Sequence, residues 1–523
     1  MRARSIGRLI FIVAAIVGLT PGIPHGAGLE ILLGEAIWSF EGTQSEEYLG
    51  YSVNYAGNLN GDDYEDLVVG AVSYDEAGAA DTGRAWVFYG SDQGPSLTPD
   101  VTLTPPVPRA SGGFGNVATW AGNVNDDEYD DLLVSMMNYN GNPSVNQQGA
   151  VFVYYGSDTG ISDTPDWTAM GGQAMLQFGY GAGPASDVNG DDIDDIIVGS
   201  NVGAYVFYGS DNGLDPDGSR PVGLPGNADW VATNDGNSQI FGMHVGMAGD
   251  VNNDLYADVW VADPWYDNGQ QDEGKVFVWY GSDTGLGPTG TPANADWAVE
   301  SNEASSYTGG EWLVPSATSV GDVNGDGYGD FLVSAAKYDA VTTMEGLAML
   351  FYGSANGLDP DGSRPLGTPA NADWYVAGAN EGDLLGYSTG RAGDFNGDGF
   401  NDFLLGVYGH DASAEGGEGL VQLWLGSSAG PIPGSLPRHV DCFIEGEQPL
   451  VPGGQAGEHL GTTSSGAGDV NGDGYDDFIS GAIYWAGPGI DRAGKVYVFT
   501  GMPLLFAEDF ESGDFWRLSR VVN

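Results

Sequence analysis

Short apolar runs, each bounded by glycine or by a cluster of Asp and Asn, recur along the chain and predict many short strands joined by tight turns. The runs keep a fixed order. A strand of small residues opens with an apolar residue followed by glycine, at Leu49-Gly50, Phe114-Gly115, Phe178-Gly179, Phe241-Gly242, Leu385-Gly386 and Leu460-Gly461. One copy departs from this, with Tyr307-Thr308-Gly309-Gly310. A polar loop follows, and then an apolar run such as Asp66-Leu67-Val68-Val69-Gly70-Ala71 or Asp195-Ile196-Ile197-Val198-Gly199-Ser200. After a loop of variable length stands an aromatic strand, such as Ala85-Trp86-Val87-Phe88-Tyr89 or Lys495-Val496-Tyr497-Val498-Phe499. Alternating β-branched and aromatic residues suit a pleated, half-buried strand. A last strand carries Asp-Trp, at Trp167, Trp230, Trp297 and Trp374.

The polar loops start at Asn58, Asn123, Asp187, Asp250, Asp322, Asp394 and Asp469, separated by 65, 64, 63, 72, 72 and 75 residues. Such a period is too long for a helical solenoid and suits a four-stranded antiparallel blade. The expected fold is therefore all-β: a seven-bladed β-propeller of four-stranded antiparallel blades spanning residues 28–501. Residues 214–230 and 358–374 share Leu-Asp-Pro-Asp-Gly-Ser-Arg-Pro and both end Asn-Ala-Asp-Trp, a legible duplication. The last repeat stops after its aromatic strand at Thr500, while an unassigned run, Ala36-Ile37-Trp38-Ser39-Phe40, precedes the first. Pairing the two would close the ring and hide two sheet edges.

The loops carry the candidate chemistry. Oxygen-bearing side chains stand at loop positions 1, 3, 5 and 9, and position 7 offers a backbone carbonyl. Hard cations such as Ca²⁺ gather six to eight oxygens, and a tight loop with alternate ligands supplies them from one short stretch. The expected ligand sets are Asn58, Asn60, Asp62, Tyr64 and Asp66; then Asn123, Asn125, Asp127, Tyr129 and Asp131; and Asp187, Asn189, Asp191, Ile193 and Asp195. The fourth and fifth are Asp250, Asn252, Asp254, Tyr256 and Asp258, and Asp322, Asn324, Asp326, Tyr328 and Asp330. The last two are Asp394, Asn396, Asp398, Phe400 and Asp402, and Asp469, Asn471, Asp473, Tyr475 and Asp477. Generic turn chemistry would not hold the same positions fixed through seven copies. Asn58 and Asn123 leave the first two loops one carboxylate short, so these are expected to bind more weakly. Nearby Asp63, Glu65, Asp126, Glu128 and Asp130 add negative charge there.

Composition narrows the class. The chain has 523 residues, but the repeats override a domain count taken from length. Glycine numbers 87 without a collagen period, and 41% of the residues are apolar, which argues against disorder. A net charge of −58 repels nucleic acid and anionic membranes, and metal ligation accounts for part of it. Residues 1–27 read as a secretory signal peptide: a basic start, an apolar run Leu9–Leu19 and small residues to about Ala27. That run is too short to span a bilayer, and no later one is long enough. Cys442 is the only cysteine, so no intramolecular disulfide forms and the core and its metals must supply the stability. The expected location is secreted or at the cell surface. Residues 502–523 fit no repeat, and Phe510-Glu511-Ser512-Gly513-Asp514 looks like the start of a further secreted module or a sorting tail.

The apolar-glycine pair, the D-x-N-x-D-x-x-x-D loop and the small-residue strand after it resemble the FG-GAP repeat of integrin alpha-subunit heads and of many secreted bacterial proteins. The resemblance covers about residues 36–501. It implies a seven-bladed propeller with calcium loops on one face and ligand-binding loops on the other. Two departures stand out. The proline of the repeat is missing nearly everywhere, with Asp263-Pro264 its closest trace. Integrins carry calcium loops in only some blades, whereas all seven have the pattern here.

No Ser-His-Asp order, HExxH or Walker loop is present, and His25, His244, His410, His439 and His459 are scattered. The leading expectation is a non-catalytic binding or adhesion module, monomeric, holding up to seven Ca²⁺ and taking a protein or glycan ligand. The alternatives are the scaffold of a secreted polysaccharide lyase or phospholipase, and a purely structural surface protein. Aromatics at fixed repeat positions are expected between the blades rather than stacked on sugars. Any ligand is expected opposite the metal loops, where 74–83, 138–148, 264–273 and 410–418 vary most. The third repeat has almost no loop there, only Asn201 to Gly203.

Overall fold

Strand segments that alternate in sequence but are covered on both faces need neighbours on each side, and the blades supply them. The second strand of the first repeat, Asp66–Ala71, is buried throughout, as are Asp131–Met136, Asp195–Gly199, Asp258–Asp263, Asp330–Ala335, Asp402–Val407 and Asp477–Ala482. The computed structural model describes residues 31–32, 36–76, 78–141, 145–218, 220–234, 236, 240–310, 316–411, 417–431, 442–446 and 457–502. Residues 1–27, read above as a signal peptide, and the tail beyond Met502 lie outside the described residues, with His25, His439 and parts of the variable loops.

Seven antiparallel sheets result, and no helix occurs among the described residues. The first strands of the blades, Leu49–Gly57, Phe114–Gly122, Ala182–Ser186, His244–Gly249, Ala317–Gly321, Leu385–Gly393 and Thr463–Gly468, surround a central cavity of about 510 Å³. The glycine pair opens the first strand in blades one, two and six. In blades three, four and seven the strand starts a few residues after the pair, and blade five, which lacks the pair, starts its first strand at Ala317. The expected ring closure is present. Trp38–Glu41 completes the last blade by antiparallel pairing with Lys495–Phe499, Trp38 opposite Val498 and Phe40 opposite Val496. One addition was not anticipated: Ile31–Leu32 pairs in parallel with Cys442–Glu445, giving blade six a fifth strand.

The apolar core is divided among the gaps between blades. Seven clusters each join side chains of two neighbours; Trp230, Phe241, Phe277 and Trp279, for instance, fill the gap between blades three and four. The outer-strand tryptophans lie in these gaps, as expected for core. Four of the indole N–H groups reach a carbonyl of the following blade: Trp38 donates to Ser96 O (2.8 Å), Trp167 to Arg220 O (3.1 Å), Trp230 to Pro288 O (3.0 Å) and Trp297 to Arg364 O (3.0 Å). These tryptophans face protein on every side and are not available to stack on a sugar.

Candidate metal loops

All seven loops are hairpin connections between first and second strands, so they share one face of the ring. The chain enters each loop through a β-bulge. The ladder skips the residue before Gly57, Gly122, Ser186, Gly249, Gly321, Gly393 and Gly468. These seven residues all have positive φ, which explains the glycines. Ser186, at φ 55°, is the exception, and its hydroxyl donates to Asp194 Oδ1 at 2.8 Å.

The aspartate at position 9 begins the second strand and is fully buried in every blade. Its Oδ2 accepts the N–H of loop position 2 at 2.9–3.2 Å. Its Oδ1 accepts the N–H of a glycine just past the third strand at 2.8–3.0 Å. Burial pushes these carboxyls up: Asp66, Asp131, Asp330 and Asp402 to about 8, Asp195 to about 9, Asp477 to about 7 and Asp258 well above the carboxylate range. The two hydrogen bonds oppose that rise, and the position-5 carboxylate adds to it, joined by position 1 in loops three to seven and by Glu65 or Asp130 in the first two.

Position 5 is fixed by the chain after it. Its Oδ1 accepts the N–H of position 7 at 2.8–3.2 Å in all seven loops. Its Oδ2 meets the amide of the position-3 asparagine at 2.9–3.0 Å in five, from Asn60, Asn125, Asn252, Asn324 and Asn396. In the seventh loop Asn471 turns instead to Asp477. An aspartate at position 1 takes its own loop's N–H groups; Asp322, for example, accepts from Gly325 and Asp326 on Oδ1 and from Gly327 on Oδ2. In the first two loops the amide of Asn58 or Asn123 donates instead to the carbonyl of Asp62 or Asp127.

Positions 1, 3, 5 and 9 are thus tied into one hydrogen-bonded loop in each blade, and position 7 enters it through its backbone. No three acidic or histidine side chains stand together in metal-holding geometry among the described residues. The sets mix carboxylate with amide and backbone oxygen, the donor set of a hard cation. Asn58 Oδ1 is buried and has no hydrogen-bond partner, an oxygen left free for such an ion. The residues present fit calcium on these grounds.

Two features of the loops escaped sequence reasoning. The position-7 rings pack on the glycine of the preceding loop: Tyr129 on Gly61, Tyr256 on Gly190, Phe400 on Gly325, Tyr475 on Gly397 and Tyr64 on Gly472. A Cβ built on any of these glycines would lie 2.3–2.6 Å from the ring. In addition, the N–H of position 8 donates to the position-1 carbonyl of the preceding loop in every blade, at 2.8–3.4 Å from Asp130 to Asn58 round to Glu65 and Asp469. The only sequence signal was the repeated glycine at position 4 and the recurrent aromatic at position 7.

On the opposite face an aromatic stack runs across the last blades. Tyr387 and Tyr408 lie 4.4 Å apart between centroids and Tyr408 and His459 4.2 Å. Burial holds the His459 imidazole below its usual pKa. Where the third repeat has its short turn, Met175 (54% exposed), Val202 (44%) and Leu224 (40%) face solvent. No helix among the described residues is long and apolar enough to cross a membrane.

Comparison with known proteins agrees with this geometry. The FG-GAP repeat model matches residues 314–346 and 461–499. Integrin alpha-PS5 of Drosophila melanogaster is 33% identical over 176 residues, 32% of this chain and 16% of that protein. Integrin alpha-5 of Xenopus laevis is 29% identical over 196 residues, 35% of this chain and 18% of that one. Phosphatidylinositol-glycan-specific phospholipase D of Bos taurus is 35% identical over 160 residues, 29% of this chain and 18% of that one. The matches thus span less than a fifth of these relatives. With seven blades and these matching segments, the chain carries FG-GAP repeats on an integrin alpha-like propeller.

Proposed function

We propose that this protein is a calcium-dependent, non-catalytic binding module outside the cell, in which up to seven Ca²⁺ brace one face of the propeller and the other face takes a protein or glycan ligand. The observation that carries the reading is the repetition of one oxygen-lined loop in all seven blades, ending each time in a buried aspartate. A single site would suit regulation; seven alike suit a scaffold held in shape. The integrin relatives support a binding role. The phospholipase D relatives support the second reading, a propeller serving an enzyme.

The two readings separate in one experiment. Glycan and matrix-protein arrays are probed with and without calcium. They are then repeated with a variant whose loops at 74–83, 138–148, 264–273 and 410–418 are replaced by short neutral turns. Binding that needs calcium and is lost in the variant supports the proposal. Binding that survives the replacement would place the ligand elsewhere. Turnover of phosphatidylinositol-glycan or polysaccharide substrates would favour the enzyme reading.

A further inference from the structure

We propose that Asp130, Asp194 and Asp476, at loop position 8, are positioning residues for the metal loop of the preceding blade, so that loops one, two and six are completed by the next blade around the ring. The inference rests on the calcium reading above. Asp130 lies in the second loop by sequence, yet its Oδ2 accepts the N–H of Asn58, the first residue of the first loop, at 2.7 Å. Asp194 of the third loop does the same for Asn123 at 2.9 Å, and Asp476 of the seventh for Asp394 at 2.7 Å. The position-8 N–H of each also holds the carbonyl of that first residue. The first ligand of loops one, two and six is therefore gripped from the next blade at both N–H and C=O. Asp130 and Asp194 are aimed in turn by the Trp120 indole (2.8 Å) and the Ser186 hydroxyl (2.8 Å) of their own blades.

The facing residues agree with this role. A Cβ on Gly57, Gly122 or Gly393 would lie 2.5, 2.3 or 2.1 Å from the bracing side chain, so glycine makes room for it. Opposite Ala257, which carries no acid, the facing residue is Ser186. Ala257 and Gly329 leave Asp187 and Asp250 with the backbone bond alone. Asn401 offers an amide to Asp322 O at 3.4 Å. Glu65 is longer and bonds Tyr55 instead. Two of the three braced loops are those with asparagine at position 1. Asp130 and Asp194 thus bring beside Asn58 and Asn123 the carboxylate those loops lack.

The test is hydrogen exchange along a calcium titration of the full-length protein and two variants. Outer partners of metal ligands are worth about ten-fold or more in affinity. Asp130→Ala should raise the calcium midpoint for residues 58–66 about ten-fold and leave 123–131 within about two-fold. Gly329→Asp supplies a missing brace, since its Cβ would lie 3.0 Å from the Asp250 carbonyl oxygen and 3.5 Å from its amide nitrogen, and should lower the midpoint for 250–258 several-fold. In EDTA, Asp130→Ala should still speed exchange at 58–66 and spare 123–131. An effect confined to 123–131, or none in either region, overturns the inference. Wild-type loops indifferent to calcium would sink the calcium reading instead, and the EDTA comparison then decides the brace alone.

Discussion

Asp195 and Asp191 belong to the same loop and look alike in sequence, but they do different work. Asp195 is buried and satisfies two backbone N–H groups, of Val188 and Gly209. Removing it strands both donors in the interior, at about 1–3 kcal/mol each. Asp191 is exposed and satisfies one N–H beside solvent. Asp195→Ala is therefore expected to cost about 2–5 kcal/mol in denaturant unfolding even in EDTA. Asp191→Ala is expected to cost less than about 0.5 kcal/mol in EDTA and to act only when calcium is present. Equal losses in EDTA would contradict this division. The same contrast recurs in every blade, so position 9 is as much a staple of the fold as a candidate ligand.

At the scale of elements, strand order and loop position were legible because local sequence sets them: alternation writes strands, and Gly, Asp and Asn write turns. The closing strand was legible because Trp38 had no place in its own repeat. The contacts that remained hidden join residues in different repeats, such as Asp130 with Asn58 or Tyr64 with Gly472, and no local period encodes them. The parallel strand Ile31–Leu32 is too short to carry a pattern. The closure itself is packed as well as paired. Trp38 meets Phe88 edge-on at 4.9 Å and Phe40 meets it at 5.0 Å, so the last blade's outer strand also covers the first blade. Trp38→Ala should cost about 3–5 kcal/mol, and deletion of residues 28–42 should expose the edge of Lys495–Phe499 and cause aggregation. A soluble deletion variant with unchanged melting would argue against this closure.

For the whole molecule, the ring concentrates negative charge on one face while its apolar core is split into seven separate seams. Metal-free, the loops set carboxylates beside one another and depend on backbone N–H groups to hold them. If each site binds near 10⁻⁴ M and calcium stands at ten times that, each contributes about 1.4 kcal/mol, and seven together roughly 10 kcal/mol. That rivals the stability of an entire domain. Inter-blade bonds between successive loops mean that the loss is felt around the ring. The direct measurement is thermal unfolding of the full chain in millimolar calcium and again in EDTA. Calcium-dependent bracing predicts a melting temperature lower by tens of degrees in EDTA and restored by added calcium. An identical melt in the two conditions would contradict it.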